Sequence, residues 1–279
     1  MTPEEFGYLA SFLKKESGLV LSENKGYLIE SRLLPLARDN GLDSISALVA
    51  KMRGGASKTL LDDVTEAMTT NESFFFRDKT PFNILEETVL PTLMKSRSTA
   101  KKLRIWCAAA STGQEPYSIA MILKEWSAKL PGWRFEIIGT DLSADVLRRA
   151  KLGKYTQFEV QRGLPIQMLV KYFKQDGSDW ELSADIRNMV QYRKLNLLED
   201  FSALGKFDIV FCRNVLIYFD QQTKGEILER TARLLTDDGY LFLGAAETVI
   251  GITGSFKPMA GQRGLYVPAG QAAKGAAVA

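Results

Sequence analysis

Residues 103–126, LRIWCAAASTGQEPYSIAMILKEW, decide the fold. LRIWCAA at 103–109 is an apolar run of strand length. AAASTGQE at 108–115 is a loop of small residues that lets backbone amides approach a ligand closely. EPYSIAMILKEW at 115–126 then spaces its apolar residues as a helix does. Strand, small-residue loop and helix in that order open a parallel α/β sheet.

The pattern repeats downstream. FEIIGTDL at 135–142 is a second strand, ending on Asp141, and Ser143 is placed to cap the helix ADVLRRAKLG. FDIVFC at 207–212 is a third, followed by a polar turn and then by Asp220, placed to cap QQTKGEILERTARLL. Asp238-Gly239 turns into the strand YLFLG at 240–244. Alternating strands and helices predict a Rossmann-like sheet covered on both faces. Residues 151–195 break the alternation: KYF, a KQDGSDW turn and ELSADIRNMVQYRKL predict a small antiparallel β insertion over about 172–195.

Upstream, residues 1–70 read as helices. Phe6, Leu9, Phe12 and Leu13 fall at helical spacing. Ser22 is the expected N-cap of the next helix and Gly41 its expected stop, with Pro35 expected to kink or end it. Ser44 is the expected cap of a third helix running through Met52. The expected organisation is a helical domain over 1–70, a linker over 71–95 carrying NESFFFR, a main domain over 96–268 and a disordered, low-complexity tail over 269–279.

Composition narrows the chemistry. With 279 residues the chain suits a main domain plus an accessory one. There is no histidine, which removes imidazole bases and Ser-His or Cys-His catalysis. Two cysteines, Cys107 and Cys212, are too few for the usual zinc site and too far apart to suggest a disulfide framework. A net charge of +3 is far below that of a dedicated nucleic-acid binder. MTPEEFGYLA lacks the basic start and apolar stretch of a signal peptide, and no apolar run approaches a membrane span, so a cytoplasmic protein is expected.

Ligands of open parallel sheets bind at the carboxyl ends of the strands. Three such ends carry polar or small residues: the AAASTGQE loop, Asp141, and Cys212-Arg213-Asn214. A strand-end carboxylate suits ribose hydroxyls, and without a full GxGxxG a nucleoside with one ribose fits better than a dinucleotide. Each position also has a purely structural use. Asp141 can cap a helix, and Glu115 can sit in a first turn favoured by the helix dipole. Cys107 and Cys212 can be small buried hydrophobes. Phe74, Phe75 and Phe76 can be core, Arg77 an ion-pair arginine and Tyr218 a core tyrosine.

Taken together, these segments resemble one family. NESFFFR at 71–77 is similar to the Asn-Glu-Thr-x-Phe-Phe-Arg signature of CheR chemoreceptor methyltransferases. WCAAASTGQEPYSIAM resembles their cofactor loop, IGTDLS their ribose-binding acid, FDIVFCRNVLIYFD their catalytic turn and LTDDGYLFLGAAET their last sheet strands. Lys25, Arg32, Arg38 and Gly41 fit the pattern of the family's helical domain. The similarity runs over about residues 5–268. Three departures are visible. Ser73 replaces threonine, Gln114 replaces the first of two glutamates, and Ala245-Ala246 stand where relatives often have His-Ser.

The resemblance implies an α/β class I methyltransferase sheet with a helical receptor-docking domain and a small β insertion. It implies S-adenosylmethionine as cofactor, S-adenosylhomocysteine as product and O-methylation of receptor glutamates. Asn71, Ser73, Arg77, Glu115, Asp141, Asn196, Leu197, Cys212 and Arg213 would contact the cofactor or its surroundings, with Arg77 and Tyr218 beside the transferring methyl. The implied partners are methyl-accepting chemoreceptor helices, with room for a regulatory adaptor and no nucleic acid. The enzyme would meet the membrane only through its receptors.

From Lys14 to Lys58, the cations Lys14, Lys15, Lys25, Arg32, Arg38, Lys51, Arg53 and Lys58 outnumber Glu16, Glu23, Glu30, Asp39 and Asp43. That excess suits an acidic receptor helix, although a solvated helix face looks the same. Some relatives grip a tethering peptide through the insertion, and the short KQDGSDWELS stretch here suggests a tether-independent enzyme. A methyltransferase for small carboxylates, an inactive cofactor-binding adaptor and an RNA methyltransferase are the alternatives. The helical domain, the presence of Arg77 and Tyr218, and the lack of an aromatic-basic RNA signature argue against them in turn.

Overall fold

The computed structural model describes residues 1–128 and 130–271. Four helices come first: α1 (Pro3–Ser17), α2 (Gly26–Asp39), α3 (Ile45–Arg53) and α4 (Lys58–Met68). Their apolar faces close one core around Leu9, Leu13, Ile29, Leu33, Leu48 and Val64. Thr2 opens α1 with a capping box to Glu5, and Ser44 and Ser57 cap α3 and α4.

Helix α2 departs from expectation at its start, and it runs on through Pro35. Ser22 makes no capping bond and precedes a short 3-10 turn. Pro35 lies inside the helix and does not end it. The carbonyl that Pro35 deprives of a donor belongs to Ser31, which is exposed, so water can replace the missing bond. Gly41 ends the helix as expected: its amide returns to Arg38 O and that of Leu42 to Ala37 O, each at 2.9 Å.

Residues 71–95 are less of a linker than expected. They include α5 (Thr80–Ile84) and run through one π turn into α6 (Leu90–Ser96). The sheet domain follows in the order β1 (Lys102–Ala108), α7 (Gln114–Ser127), β2 (Arg134–Asp141) and α8 (Ala144–Leu152). The insertion contributes β3 (Lys154–Thr156), α9 (Gln157–Gln161), α10 (Ile166–Tyr172), β4 (Phe173–Asp176), β5 (Asp179–Leu182) and α11 (Ala184–Arg187). Then come β6 (Val190–Lys194), β7 (Phe207–Cys212), α12 (Gln221–Leu234), β8 (Leu235–Leu243), β9 (Phe256–Pro258) and β10 (Leu265–Pro268).

The large sheet has the order β6-β2-β1-β7-β8-β10-β9, with the first five strands parallel and the last two pairings antiparallel. Strand β6 belongs here, parallel to β2, and not to the insertion, whose small sheet is β3-β5-β4. Side chains alternate across the sheet. Ile105, Cys107, Ile209 and Phe211 face one core, while Trp106, Ala108, Val210 and Cys212 face the other. Ala269 and Gln271 hydrogen-bond to neighbouring backbone. The rest of the expected tail, 272–279, lies outside the described residues. No helix among the described residues is long and apolar enough to cross a membrane.

Glu66 fastens the helical part to the sheet. Its carboxylate, near the end of α4, accepts from Ser143 Oγ at 2.9 Å and from the Ala144 amide at 3.0 Å, where α8 begins, and pairs with Lys194 at 3.4 Å. Burial raises this carboxyl, but the amides of Ala144 and Asp145 and the Ser143 hydroxyl outweigh it and hold the group below its ordinary 4.5. A carboxyl lowered by folding stabilises at pH above the ordinary value, and that contribution disappears as pH falls toward the folded value. Glu66→Gln is therefore expected to cost about 1 kcal/mol near neutrality, given its partial exposure. Thermal melts of the two proteins should begin to converge as pH falls below 4.5 and meet only below the lower folded value; a gap independent of pH refutes the charge-based latch.

Candidate active site

Strand β1 has β2 on one side and β7 on the other. The chain winds away in opposite directions from this point, so a crevice opens at the carboxyl ends of β1 and β7. A cavity lies there, walled by residues 69–74, 109–111, 141–142, 195–197, 213–215 and 218–219, and by Ser17 and Leu19 of the helical part. Asn71, Ser73, Arg77, Glu115, Asp141, Asn196, Leu197, Arg213 and Tyr218 all line it. Cys212 does not. It is the last residue of β7 and points into the core below, so Arg213, one residue on, takes the cavity side.

The loop after β1 is shaped by its backbone. Gly113 has φ +93°, and a side chain there would begin 2.6 Å from the Tyr192 hydroxyl and 3.0 Å from Tyr117. Only glycine fits between this turn and the packed tyrosines. Gln114, where the resemblance expects glutamate, is buried and accepts from Thr112 Oγ1 at 2.8 Å, so it serves the loop itself.

Asp141 ends β2 with both oxygens already oriented. Oδ2 accepts the Ser111 amide at 2.8 Å and Oδ1 the Ser143 amide at 3.0 Å. Burial pushes this carboxyl above its ordinary value, and the two amides offset that in part. An ionised carboxylate has about four acceptor positions, so capacity remains for two hydroxyls.

Arg213 is the electrostatic centre of the site. Its side chain is 1% exposed and bridges two carboxylates, Glu115 at 2.9 Å and Asp78 at 2.7 Å. It also donates to Arg77 O at 3.0 Å, fixing the backbone of the NESFFFR segment. Burial raises the Glu115 carboxyl and the Arg213 charge pulls it back. The Arg213 Nε–H is buried without an acceptor.

Arg77 differs from Arg213 in being little committed. Among the described residues it donates once, to Glu72 O at 3.1 Å, and its guanidinium lies 5.3 Å from the Phe74 ring centre. Most of its five donors are free to take a ligand. Phe75 and Phe76 anchor the segment, as core packing predicts: Phe75 meets Tyr155 edge-on at 4.9 Å, and the Phe76 amide donates to Ser118 Oγ at 3.0 Å. Left-handed backbone collects around the cavity, at Phe76, Asp78, Lys79, Ala109, Ser111 and Asn214. Such residues cost of order 1 kcal/mol or more each and persist where the surroundings over-determine them.

Two sequence assignments gain a different use. The Asn196 side chain donates to Glu16 O at 2.7 Å and accepts the Leu198 amide at 3.0 Å, so any ligand contact falls to its backbone or its remaining donor. Leu197 is mostly core, with its edge on the cavity. Sequence reasoning missed Glu247. It is 8% exposed and its carboxylate accepts the amides of Asn214, Val215, Ile217 and Gly244, which sets the course of the turn before Tyr218.

The residues present fit a nucleoside sulfonium. Asp141 offers acceptors for a ribose diol, Leu142, Leu197 and Val215 offer apolar faces for a base, and Arg213 sets a positive charge in the wall for a carboxylate. Comparison with known proteins agrees. The CheR methyltransferase SAM binding domain matches residues 71–265 and the CheR methyltransferase all-alpha domain residues 4–69. Chemotaxis protein methyltransferase 1 of Pseudomonas aeruginosa is 44% identical over 252 residues, which cover 88% of this chain and 90% of that protein. Chemotaxis protein methyltransferase Cher2 of Pseudomonas putida is 42% identical over 252 residues, covering 89% and 91%. The Salmonella typhimurium chemotaxis protein methyltransferase is 33% identical over 261 residues, covering 92% and 88%. Helical part and sheet domain alike thus assign this chain to the CheR methyltransferases, a family that binds S-adenosylmethionine.

Proposed function

We propose that this chain methylates glutamate side chains of bacterial chemoreceptors, giving methyl esters that serve chemotactic adaptation. The observation that carries the reading is the presence of a largely uncommitted Arg77 and the Tyr218 phenol on the cavity that Asp141 also lines. S-adenosylmethionine supplies a methyl already activated by a sulfonium and leaves as S-adenosylhomocysteine. The acceptor needs no base, because a glutamate with a reference pKa near 4.3 is ionised at neutral pH. A chain without histidine is equipped for that reaction. Arg77 orients the two acceptor oxygens with its guanidinium fork, and Tyr218 steers the second oxygen or the methyl donor. Correct alignment of this kind supplies on the order of 7–11 kcal/mol in well-oriented reactions.

On this reading residues 1–70 dock the receptor, 71–95 carry the cofactor motif, and 96–268 hold the chemistry. Side-chain partners refine the docking face. Arg32 is spent on Met68 O, Thr69 O and Thr70 Oγ1, where it caps the end of α4. Lys14 pairs with Asp220 and Arg53 with Glu4. Lys25, Arg38, Lys51 and Lys58 are exposed and remain for an acidic receptor helix. A cytoplasmic location, receptor-borne contact with the membrane, a regulatory adaptor and tether-independent recognition belong to the same proposal.

Radiolabelled methyl transfer to receptor-containing membranes tests it. Label released as methanol in base identifies an ester and is the expected result. Base-stable label, or label on RNA or a small carboxylate in preference to receptors, overturns the proposal.

A further inference from the structure

The end of α1 reaches over the catalytic turn. Ser17 and Leu19 form part of the cavity wall itself. The Val20 amide donates to Tyr218 O at 2.9 Å, so residues on the two segments share a backbone bond. Lys14 holds Asp220 at 2.8 Å, two residues after Tyr218, and Asn196 reaches across to Glu16 O at 2.7 Å. Between these ties sits Gly18, the C-cap of α1, with φ +76°. A Cβ at Gly18 would lie 2.7 and 2.8 Å from two ring atoms of Phe219 and 3.0 Å from Leu198 Cδ2. The chain therefore passes against Phe219 at a distance that only glycine permits, and in a conformation that glycine favours.

We infer that the Lys14–Val20 segment is a clamp that positions Tyr218, which makes the helical domain part of the reacting site and not only a docking module. The inference rests on the role given to Tyr218 above. Tyr218 occupies a short turn that leaves β7 and has no sheet neighbour of its own. Glu247 holds that turn from the sheet side through its amides, and the α1 segment holds it from the cavity side through Tyr218 O, Phe219 and Asp220. A phenol that must meet one atom of a ligand needs both restraints, since small misplacements near a reacting centre are costly. No other element among those described supplies a backbone hydrogen bond to Tyr218 O.

Gly18→Ala is the test, read in three ways on the full chain. Hydrogen exchange at Val20 and over residues 214–220 should accelerate relative to wild type. Calorimetry with S-adenosylhomocysteine should show that the variant still binds. Methyl transfer to receptor membranes should fall roughly ten- to hundredfold in kcat, with a smaller change in KM for the methyl donor. Gly18→Ala/Phe219→Leu, which removes the ring atoms in the way, should recover part of the rate. Unchanged exchange over 214–220, or accelerated exchange with an unchanged kcat, overturns the clamp. A purely structural role would lower the melting temperature and leave kcat at 25 °C alone. Should wild type itself transfer no methyl to receptors, the function proposed above fails, and the exchange and binding measurements still decide whether the segment holds the turn.

Discussion

Replacing Arg77 by alanine is expected to lower kcat for receptor methylation by roughly two to three orders of magnitude while leaving the fold intact and weakening cofactor binding much less. The fold should survive because Arg77 gives the protein little: one hydrogen bond to Glu72 O and a cation–π contact with Phe74. That contact is worth about 0.5–1 kcal/mol at a partly exposed site. Cofactor binding should persist because Asp141, Arg213 and the apolar walls are held by other contacts. What is lost is the fork that aligns an incoming carboxylate. Arg77→Lys keeps the charge without the fork and should recover only a small part of the rate. Calorimetry with S-adenosylhomocysteine and steady-state methyl transfer separate the two effects. Near-normal turnover by Arg77→Ala removes this residue from the mechanism.

The segment that delivers Arg77 explains why a run of three phenylalanines precedes it. Phe75 and Phe76 are buried, and Phe76 and Asp78 flank Arg77 with left-handed backbone. Arg213 fastens Arg77 from below through its carbonyl. The core contacts hold a strained turn, and the strained turn presents a guanidinium to the cavity. Packing and chemistry are here two functions of consecutive residues.

Much of this was legible in the sequence because it is local. The strands at 102–108, 134–141 and 207–212 are apolar runs, and Ser44, Ser143 and Asp220 cap helices through bonds spanning three residues. Asp141 was visible as a carboxylate at a strand end. What the sequence concealed depends on long-range partners. Arg32 looks like a docking cation until its bonds to residues 68–70 are seen. Strand β6 looks like part of the insertion, since nothing local says that it pairs with β2. Cys212 and Arg213 are neighbours in sequence, yet strand alternation sends them to opposite sides. Glu66, Gly18 and Glu247 read as ordinary surface, cap and loop residues, and their partners lie between about 30 and 200 positions away.

Glu247→Ala should be the most damaging substitution outside the residues that face the ligand. The carboxylate collects four backbone amides: Gly244 at 2.7 Å, Asn214 at 2.8 Å, Val215 at 2.9 Å and Ile217 at 3.3 Å. Two of these residues, Val215 and Gly244, are buried, so their amides cannot turn to water. At about 1–3 kcal/mol for each unsatisfied donor, the loss is expected to be about 2–6 kcal/mol. The turn that carries Tyr218 should also loosen, so methyl transfer should fall even at temperatures where the variant stays folded. Ala245 and Ala246 are exposed on the same loop, and the bonds that hold the turn come from Glu247. Glu247→Gln sharpens the test. Oε2 serves Gly244 and Asn214, and Oε1 serves Val215 and Ile217, so either orientation of a glutamine amide points its NH2 at two backbone N–H groups. The isosteric variant should therefore resemble alanine and not wild type, in melting temperature and in kcat alike. A Glu247→Gln protein as stable and as active as wild type would mean that size alone, and not four accepted hydrogen bonds, fixes the turn.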